Sequence, residues 1–227
     1  MLGHAPRCPA SAAARAGRLC WSRGGRGRVP GDAAALVMED GLRGTQGGRS
    51  GAPMVIVVMG VAGSGKSTIG RSLAARLGWE YVDGDAFHPA RNIAKMRSGT
   101  PLSAADRRPW MDRLAGWIGD RLDEGRPGVL ACSALKRDDR DRLAGGRAGV
   151  VIVHLDGDRD LIARRMRERS GHFFDADLLD SQFRELEPPA PDEDVLRVSV
   201  AGSPETVTDD ILAALERMGV EPAGSGD

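Results

Sequence analysis

The sequence has few cysteines and no net charge, and both shortages exclude classes of protein. Its three cysteines (Cys8, Cys20 and Cys132) show no C-x-x-C spacing, so they indicate neither a disulfide framework nor a zinc site and fit a reducing compartment. Basic and acidic residues both number 32, so the whole chain carries no electrostatic footprint for nucleic acid or an anionic membrane. Because no apolar run approaches the roughly 18 residues of a membrane span, we expect a cytoplasmic protein that binds neither nucleic acid nor membrane.

Lysine is scarce as well. Only Lys66, Lys95 and Lys136 occur, and arginine supplies the rest of the positive charge. Lysine is a compact point charge whereas arginine is a planar fork, so the two are not interchangeable. Three isolated lysines in an arginine-biased chain are therefore candidates for specific roles.

Residues 1–53 differ in composition from the rest. They hold eight arginines against three acids, many Gly and Ala, and no helical or strand periodicity. Such a segment is typical of disorder, and a transit peptide or a basic arm would have a similar composition. We interpret it as a dispensable extension preceding the domain, with a start at Met38 or Met54 as one explanation.

A phosphate-binding loop organises the domain. The apolar run Val55–Met59 leads into a glycine-rich turn and then a helix-competent segment, which is the context that the pattern G-x-x-x-x-G-K-[ST] requires. Loop amides and the helix N-terminus bind phosphate, Lys66 reaches the β- and γ-phosphates, and Ser67 can ligate Mg²⁺. The predicted nucleotide-binding residues are Gly60, Val61, Ala62, Gly63, Ser64, Gly65, Lys66, Ser67 and Thr68. The expected cofactors are ATP and Mg²⁺.

From residue 54 onward, apolar strands alternate with helical patterns, which is typical of βαβ units. We predict an α/β P-loop domain at 54–218, a five-stranded parallel sheet flanked by helices, followed by a flexible tail at 219–227. The predicted strands are Val55–Met59, Trp79–Val82, Val129–Cys132, Val150–Leu155 and Val195–Val200. The helices after the first are expected near Ile93–Ser98, from Ser103 as N-cap to about Glu124, and at Asp138–Leu143, Arg159–Arg169, Ala176–Leu186 and Pro204–Met218.

Asp83 and Asp85 follow the second predicted strand. In open α/β sheets, ligands bind beyond the carboxyl ends of the strands, where Asp83 could order the water shell of Mg²⁺ and Asp85 could orient an attacking hydroxyl. An Asp-Gly turn that merely ends the strand is the alternative for this triplet alone. Asp156 also ends an apolar strand, but we do not assign it to the metal.

A series of short motifs extends over about 54–218. They are Asp83-Gly84-Asp85, His88-Pro89, Asn92, Lys95-Met96, Gly99, Pro101-Leu102, Asp106-Arg107, Pro109-Trp110, Cys132-Ser133-Ala134-Leu135-Lys136, Gly171-His172-Phe173, Leu178-Leu179 and Ser181-Gln182-Phe183. As a set they resemble the gluconokinases, a branch of the P-loop nucleoside-monophosphate-kinase-like family. The resemblance implies ATP-dependent phosphorylation of D-gluconate on its terminal hydroxyl to give 6-phosphogluconate, and it is also the reason to expect a homodimer.

The acceptor site is expected near 86–108. Its basic residues place many donors beside two acids, which suits a polyhydroxy carboxylate. The predicted substrate-binding residues are Asp85, His88, Arg91, Asn92, Lys95, Arg107, Lys136 and His172.

The basic helix from Arg159 to Arg169 resembles the start of the family's lid, which we expect near 165–178. By this resemblance Arg165 and Arg169 bind the nucleotide, because guanidinium groups brought in by closure neutralise the transferring phosphoryl. The expected catalytic residues are Lys66, Asp85 and Arg165.

Two positions depart from the family pattern: an acid is usual at Ala104 and a tyrosine at Asp139. Either change could alter acceptor preference. The alternatives are a related kinase acting on shikimate, adenylylsulfate or another sugar acid, and a non-catalytic ATP-binding module.

Overall fold

Strands and helices alternate along the chain and form one parallel sheet. The computed structural model describes residues 54–170 and 176–220. The strands are β1 (Val55–Met59), β2 (Glu80–Asp83), β3 (Gly128–Ala131), β4 (Val150–Asp156) and β5 (Val195–Ser199). The helices are α1 (Lys66–Leu77), α2 (Ala90–Arg97), α3 (Ala104–Asp123), α4 (Arg137–Ala144), α5 (Arg159–Ser170), α6 (Ala176–Glu185) and α7 (Pro204–Arg217), with a 3₁₀ turn at Gly84–Phe87. The predicted five-stranded parallel sheet with flanking helices is confirmed.

The order of the strands places the site. They lie side by side as β2-β3-β1-β4-β5, all parallel. The chain leaves β1 towards β2 on one side, whereas β4 pairs with β1 on the other, so the topology reverses at the carboxyl end of β1. Ligands of open α/β sheets bind at such a switch point. Because Asp83 and Val58 both align with Ala131 of β3, the end of β2 lies two strands from the start of the phosphate loop.

The sheet is covered on both faces, which explains the continuous apolar character of β1. Alternate residues Ile56 and Val58 pack with α1 and α7, while Val55 and Val57 pack with α3. A third, smaller apolar cluster joins Val61 of the phosphate loop to α5 and α6.

Local sequence explains most of the element boundaries. Ser103 caps α3 as predicted: its hydroxyl accepts from the Asp106 amide and the Asp106 carboxylate accepts from the Ser103 amide, a capping box. The helix predicted near Ile93 begins three residues earlier, because Pro89 provides an extended residue from which α2 can start. The third strand ends one residue before the predicted Cys132, where the chain turns towards Ala134, whose φ of +41° is left-handed.

A buried ion pair holds α4 against the segment before β5. The Arg140 side chain, 1% exposed, donates to both carboxylate oxygens of Glu193 at 2.6 and 2.8 Å, and also to the carbonyls of Leu135 and Glu187. Because a buried charge is tolerated only when paired and hydrogen-bonded, this network fixes the loop that carries Lys136.

Some of the predicted features concern residues outside this description. They are the extension at 1–53, the tail from residue 221, the side chain of Arg169, and His172 in the lid. Among the helices of the described residues, none has the length and apolar character needed to cross a membrane.

His154 on β4 should make folding stability depend on pH. Its side chain is 2% exposed, its Nδ1 has no hydrogen-bond partner among the described residues, and burial lowers its pKa from 6.5 to about 4, with Asp156, Arg197 and Arg140 as charged neighbours. Between these pKa values the unfolded chain binds more protons, so the free energy of unfolding should fall as pH decreases through this window. In the unaltered protein, His154 should lower the free energy of unfolding by about 2 kcal/mol between about pH 7.5 and pH 5. We expect His154→Leu to remove this part of the pH dependence, as measured by urea denaturation. An unchanged difference would contradict this.

Candidate nucleotide and acceptor site

The phosphate loop adopts a conformation that glycine makes accessible. Gly63 and Gly65 have φ values of +78° and +102°, in the region that L residues enter only at a cost. Gly65 is also the N-cap of α1, and no side chain caps the helix there. The first amides of α1 therefore lack a capping acceptor and form a site for an anion.

Two polar side chains of the loop, Ser64 and Lys66, have no charged hydrogen-bond partner among the described residues. The Ser64 hydroxyl is buried and has no hydrogen-bond partner among the described residues. Lys66 Nζ donates to the Val61 carbonyl at 2.9 Å. Burial lowers the pKa of Lys66, whereas Cys132, Asp85 and Asp83 act in the opposite direction. A lysine and a hydroxyl in a ring of amides form a set of donors that suits phosphate oxygens.

Asp83 joins this loop to the end of β2. Its Oδ2 accepts from Ser67 Oγ at 3.3 Å and from the Tyr81 hydroxyl at 3.2 Å, and its Oδ1 accepts from the Asp85 amide at 3.1 Å. A hydroxyl and a carboxylate in contact are the oxygen ligands that Mg²⁺ prefers, directly or through water.

Asp85 lies on the 3₁₀ turn, with its side chain 86% exposed and its Oδ1 3.9 Å from His88 Nε2. His88 is buried and stacks on Trp110, with ring centroids 4.2 Å apart and planes 17° apart. Burial lowers the pKa of His88, so the neutral imidazole is favoured. Trp110 Nε1 donates to the Gly84 carbonyl at 2.7 Å. The turn that presents Asp85 is thus anchored to α3.

Asn92 and Lys95 hold α2 against the start of α3. Asn92 is fully buried and its Nδ2 donates to the Asp106 carbonyl at 2.8 Å. Lys95 Nζ donates to both Asp106 carboxylate oxygens at 2.9 and 2.7 Å, and this contact holds the pKa of Asp106 well below its usual range. Both predicted acceptor residues thus already have partners within the protein.

The other predicted acceptor cations fall into two groups. Arg107 donates to Glu185 of α6 at 2.8 Å. Arg91 is exposed and Lys136 half-buried, and within 54–170 and 176–220 neither has an ion-pair partner. Asp139, in the first turn of α4, is half-buried; burial raises its pKa, and the charges of Arg107 and Lys136 oppose that rise. The departure at Asp139 therefore lies near Arg107 and Lys136, two of the cations predicted to bind the acceptor. Ala104, the other departure, is the exposed first residue of α3.

Arg165 of α5 points to the loop after β5. Its NH2 donates to the carbonyls of Ala201 and Gly202 at 3.3 and 2.8 Å. Beside it is a cavity of about 310 Å³ that continues from the phosphate loop, lined by Thr68, Met166 and Val207 among others. A mainly apolar cavity next to a phosphate site fits a nucleoside.

Comparison with known proteins identifies the family. A protein-family model described as an AAA domain matches residues 55–189. The chain is 44% identical over 160 residues to the gluconokinase of Gluconobacter oxydans (strain 621H), covering 70% of this chain and 90% of that protein. It is 42% identical over 160 residues to the thermosensitive gluconokinase of Escherichia coli (strain K12), covering 70% and 86%. A crystal structure of a gluconokinase from Sinorhizobium meliloti 1021 is 39% identical with a TM-score of 0.68, covering 75% of this chain and 95% of that one. The chain belongs to the gluconokinase family.

Sequence reasoning overlooked three side chains of this gluconokinase-family site. Tyr81 shares Asp83 with Ser67. Gln182 Oε1 accepts from the Ala62 amide of the phosphate loop at 2.5 Å, and Glu185 holds Arg107. The motif Ser181-Gln182-Phe183 marked the region of Gln182, but its partner lies 120 residues away and no local pattern indicates it.

Gly63→Ala should weaken nucleotide binding without unfolding the protein. An added Cβ would collide with the Met166 side chain. It would also force an L residue into the left-handed backbone conformation of Gly63, which costs about 1–2 kcal/mol for the backbone alone. We expect the dissociation constant for ATP, measured by calorimetry, to rise more than tenfold. Gly125→Ala is the matched control, because φ there is +68° and no atom lies within 4 Å of the added Cβ. Equal ATP affinity in both variants would refute this account.

Proposed function

We propose that this protein transfers the γ-phosphoryl group of ATP to the terminal hydroxyl of D-gluconate, giving 6-phospho-D-gluconate and ADP. The observation that carries the proposal is the contact of Ser67 with Asp83. It joins a phosphate loop to the turn bearing Asp85, in a chain of the gluconokinase family. Nucleotide and acceptor sites then share one edge of the sheet.

ATP binds through the loop and the adjoining cavity. The loop amides that are not bonded within the protein, those of the first turn of α1 and the Lys66 ammonium hold the phosphates, while the cavity beside Arg165 receives the nucleoside. The hydrogen bonds of Arg165 to the loop after β5 support a place at the wall of this cavity. Arg169 would supply the second lid guanidinium, as the family resemblance implies.

Ser67 and, through water, Asp83 would hold Mg²⁺. The described residues hold no group of three His, Cys, Asp or Glu side chains that could bind a metal ion alone, so nucleotide phosphates and water would complete the ligand set. The ion would neutralise charge on the phosphates.

Asp85 accepts the proton of the acceptor hydroxyl while the oxygen of that hydroxyl attacks the γ-phosphorus. The new O–P bond forms while the bond from the γ-phosphorus to the β–γ bridging oxygen breaks, and ADP leaves with that oxygen. The exposed Asp85 carboxylate on an anchored turn supports this role. Positioning supplies much of the rate in such transfers, because little covalent chemistry is required of the protein.

The acceptor carboxylate and hydroxyls bind the surrounding polar groups. Arg91 and Lys136, which lack ion-pair partners in the described part of the chain, are free to pair with a carboxylate, and Arg107 has further N–H groups beside its bond to Glu185. His88, Asn92 and Lys95 shape the same wall, and His172 would approach from the lid.

Lys66→Ala and Asp85→Asn should each lower kcat by about a hundredfold or more while the fold persists, because one removes phosphate charge neutralisation and the other the proton acceptor. The measurement is ADP release with gluconate in a coupled assay, together with circular dichroism. Asp123→Asn at the exposed end of α3 is the control for loss of a carboxylate. An Asp85→Asn enzyme with full kcat would remove Asp85 from the mechanism.

A panel of acceptors tests the substrate directly. Gluconate, shikimate, adenylylsulfate and other sugar acids are incubated with ATP and Mg²⁺, and the phosphorylated product is detected by mass. We expect phosphorylation of gluconate at the highest kcat/KM. ATP binding with no phosphorylated product from any acceptor would support a non-catalytic module instead.

Lys136→Met should raise the KM for gluconate about tenfold and leave the KM for ATP unchanged, because it removes one charge-assisted contact to the acceptor. The control is a cation that already has a partner within the protein. Arg142→Met removes the ion pair between Arg142 of α4 and Asp112 of α3, and it should leave both KM values unchanged. A Lys136→Met enzyme that changes the KM for ATP alone would place Lys136 on the nucleotide side.

A further inference from the structure

Helix α6 contacts the phosphate loop through one polar side chain. Gln182 Oε1 accepts a hydrogen bond from the Ala62 amide at 2.5 Å. On the other side of the same peptide group, the Val61 carbonyl accepts from Lys66 Nζ at 2.9 Å. The Ser64 amide donates to the same carbonyl at 3.2 Å. The Val61–Ala62 peptide is therefore held at both polar ends, by Gln182 at its N–H and by Lys66 and the Ser64 amide at its oxygen.

Apolar packing fixes the position of Gln182. Leu179 is fully buried in the cluster that contains Val61, and Phe183 packs against it. These residues precede and follow Gln182 on α6, so the helix is seated on the residue next to Ala62. Because α6 cannot slide without disrupting this cluster, the Gln182 oxygen stays opposite the amide.

The chemistry of an amide sets the orientation of this contact. A backbone N–H can only donate, so the carbonyl oxygen of Gln182 must face Ala62. Hydrogen bonds in a chain polarise one another, so the bond at the Ala62 N–H strengthens the Val61 carbonyl as an acceptor for Lys66. Gln182 is therefore linked, through one peptide, to the ammonium that faces the nucleotide phosphates.

We propose that Gln182 is a positioning residue for the phosphate loop: by fixing the Val61–Ala62 peptide plane it sets the location of the Lys66 ammonium and so the affinity for the triphosphate of ATP. This inference rests on the nucleotide half of the proposed function and not on the identity of the acceptor. It also links the helix that follows the lid segment to the loop at which phosphate binds.

The test is nucleotide affinity in Gln182→Met, which keeps the length of the side chain and removes the hydrogen bond. Calorimetry without an acceptor should give a dissociation constant for ATP about tenfold higher than in the unaltered protein, and the same constant for adenosine, which lacks phosphates. Ser181→Ala is the control, since among the described residues the Ser181 hydroxyl bonds to the Leu178 carbonyl of α6 alone, and it should leave both constants unchanged.

The outcomes separate positioning from a merely structural role. A lower melting temperature with unchanged ATP affinity would overturn the proposal, and so would tighter ATP binding, which would mean that Gln182 competes with phosphate for the Ala62 amide. An equal loss for ATP and adenosine would also overturn it. Gln182→Asn, which withdraws the amide by one methylene and keeps a polar group, is a second variant should Gln182→Met fail to fold, and the same rise for ATP alone is expected. Because no acceptor is present, these results hold even if gluconate is not phosphorylated.

Discussion

The hydrogen bond from Ser67 to Asp83 joins two parts of the chain that the sheet would otherwise keep apart. Ser67 lies in the first turn of α1, which follows β1, whereas Asp83 ends β2, and β3 lies between those two strands. The bond is possible because α1 begins at the carboxyl edge of the sheet, directly after β1, and the parallel strand β2 ends at the same edge. The phosphate loop and the 3₁₀ turn that bears Asp85 therefore have a fixed separation, which in-line transfer requires.

Charge in the site is distributed according to which cations have protein partners. Lys95 and Arg107 are paired with Asp106 and Glu185, so their charges are already neutralised in part. Among the described residues, Lys66 Nζ donates to one carbonyl, that of Val61, and its lowered pKa reflects burial that the nearby acids do not fully offset. An anion arriving at a desolvated cation gains more than it would at a solvated pair, which favours ligand binding at Lys66 over binding at the paired residues.

Sequence alone predicted the elements whose causes are local. A β-branched run, a glycine loop and a helix in succession were sufficient for β1, the phosphate loop and α1, and Ser103 as N-cap was sufficient for the start of α3. The partners of Lys95, Arg165 and Gln182 could not be predicted in the same way. Each lies on another element, as far as 120 residues away for Gln182, and its choice depends on how helices pack on the sheet. Residue type indicated that these groups were polar and near the site, but not which atom each would contact.

Helix α6 connects both halves of the site, since Gln182 and Glu185 are three residues apart and so lie on one face of the helix. Gln182 contacts Ala62 of the phosphate loop, and Glu185 contacts Arg107, which we propose to bind the acceptor. The two contacts are coupled, because a helix behaves as a rigid unit. If nucleotide binding alters the contact at Ala62, this coupling changes the pairing of Arg107, and by linkage an acceptor that binds Arg107 changes nucleotide affinity by the same factor.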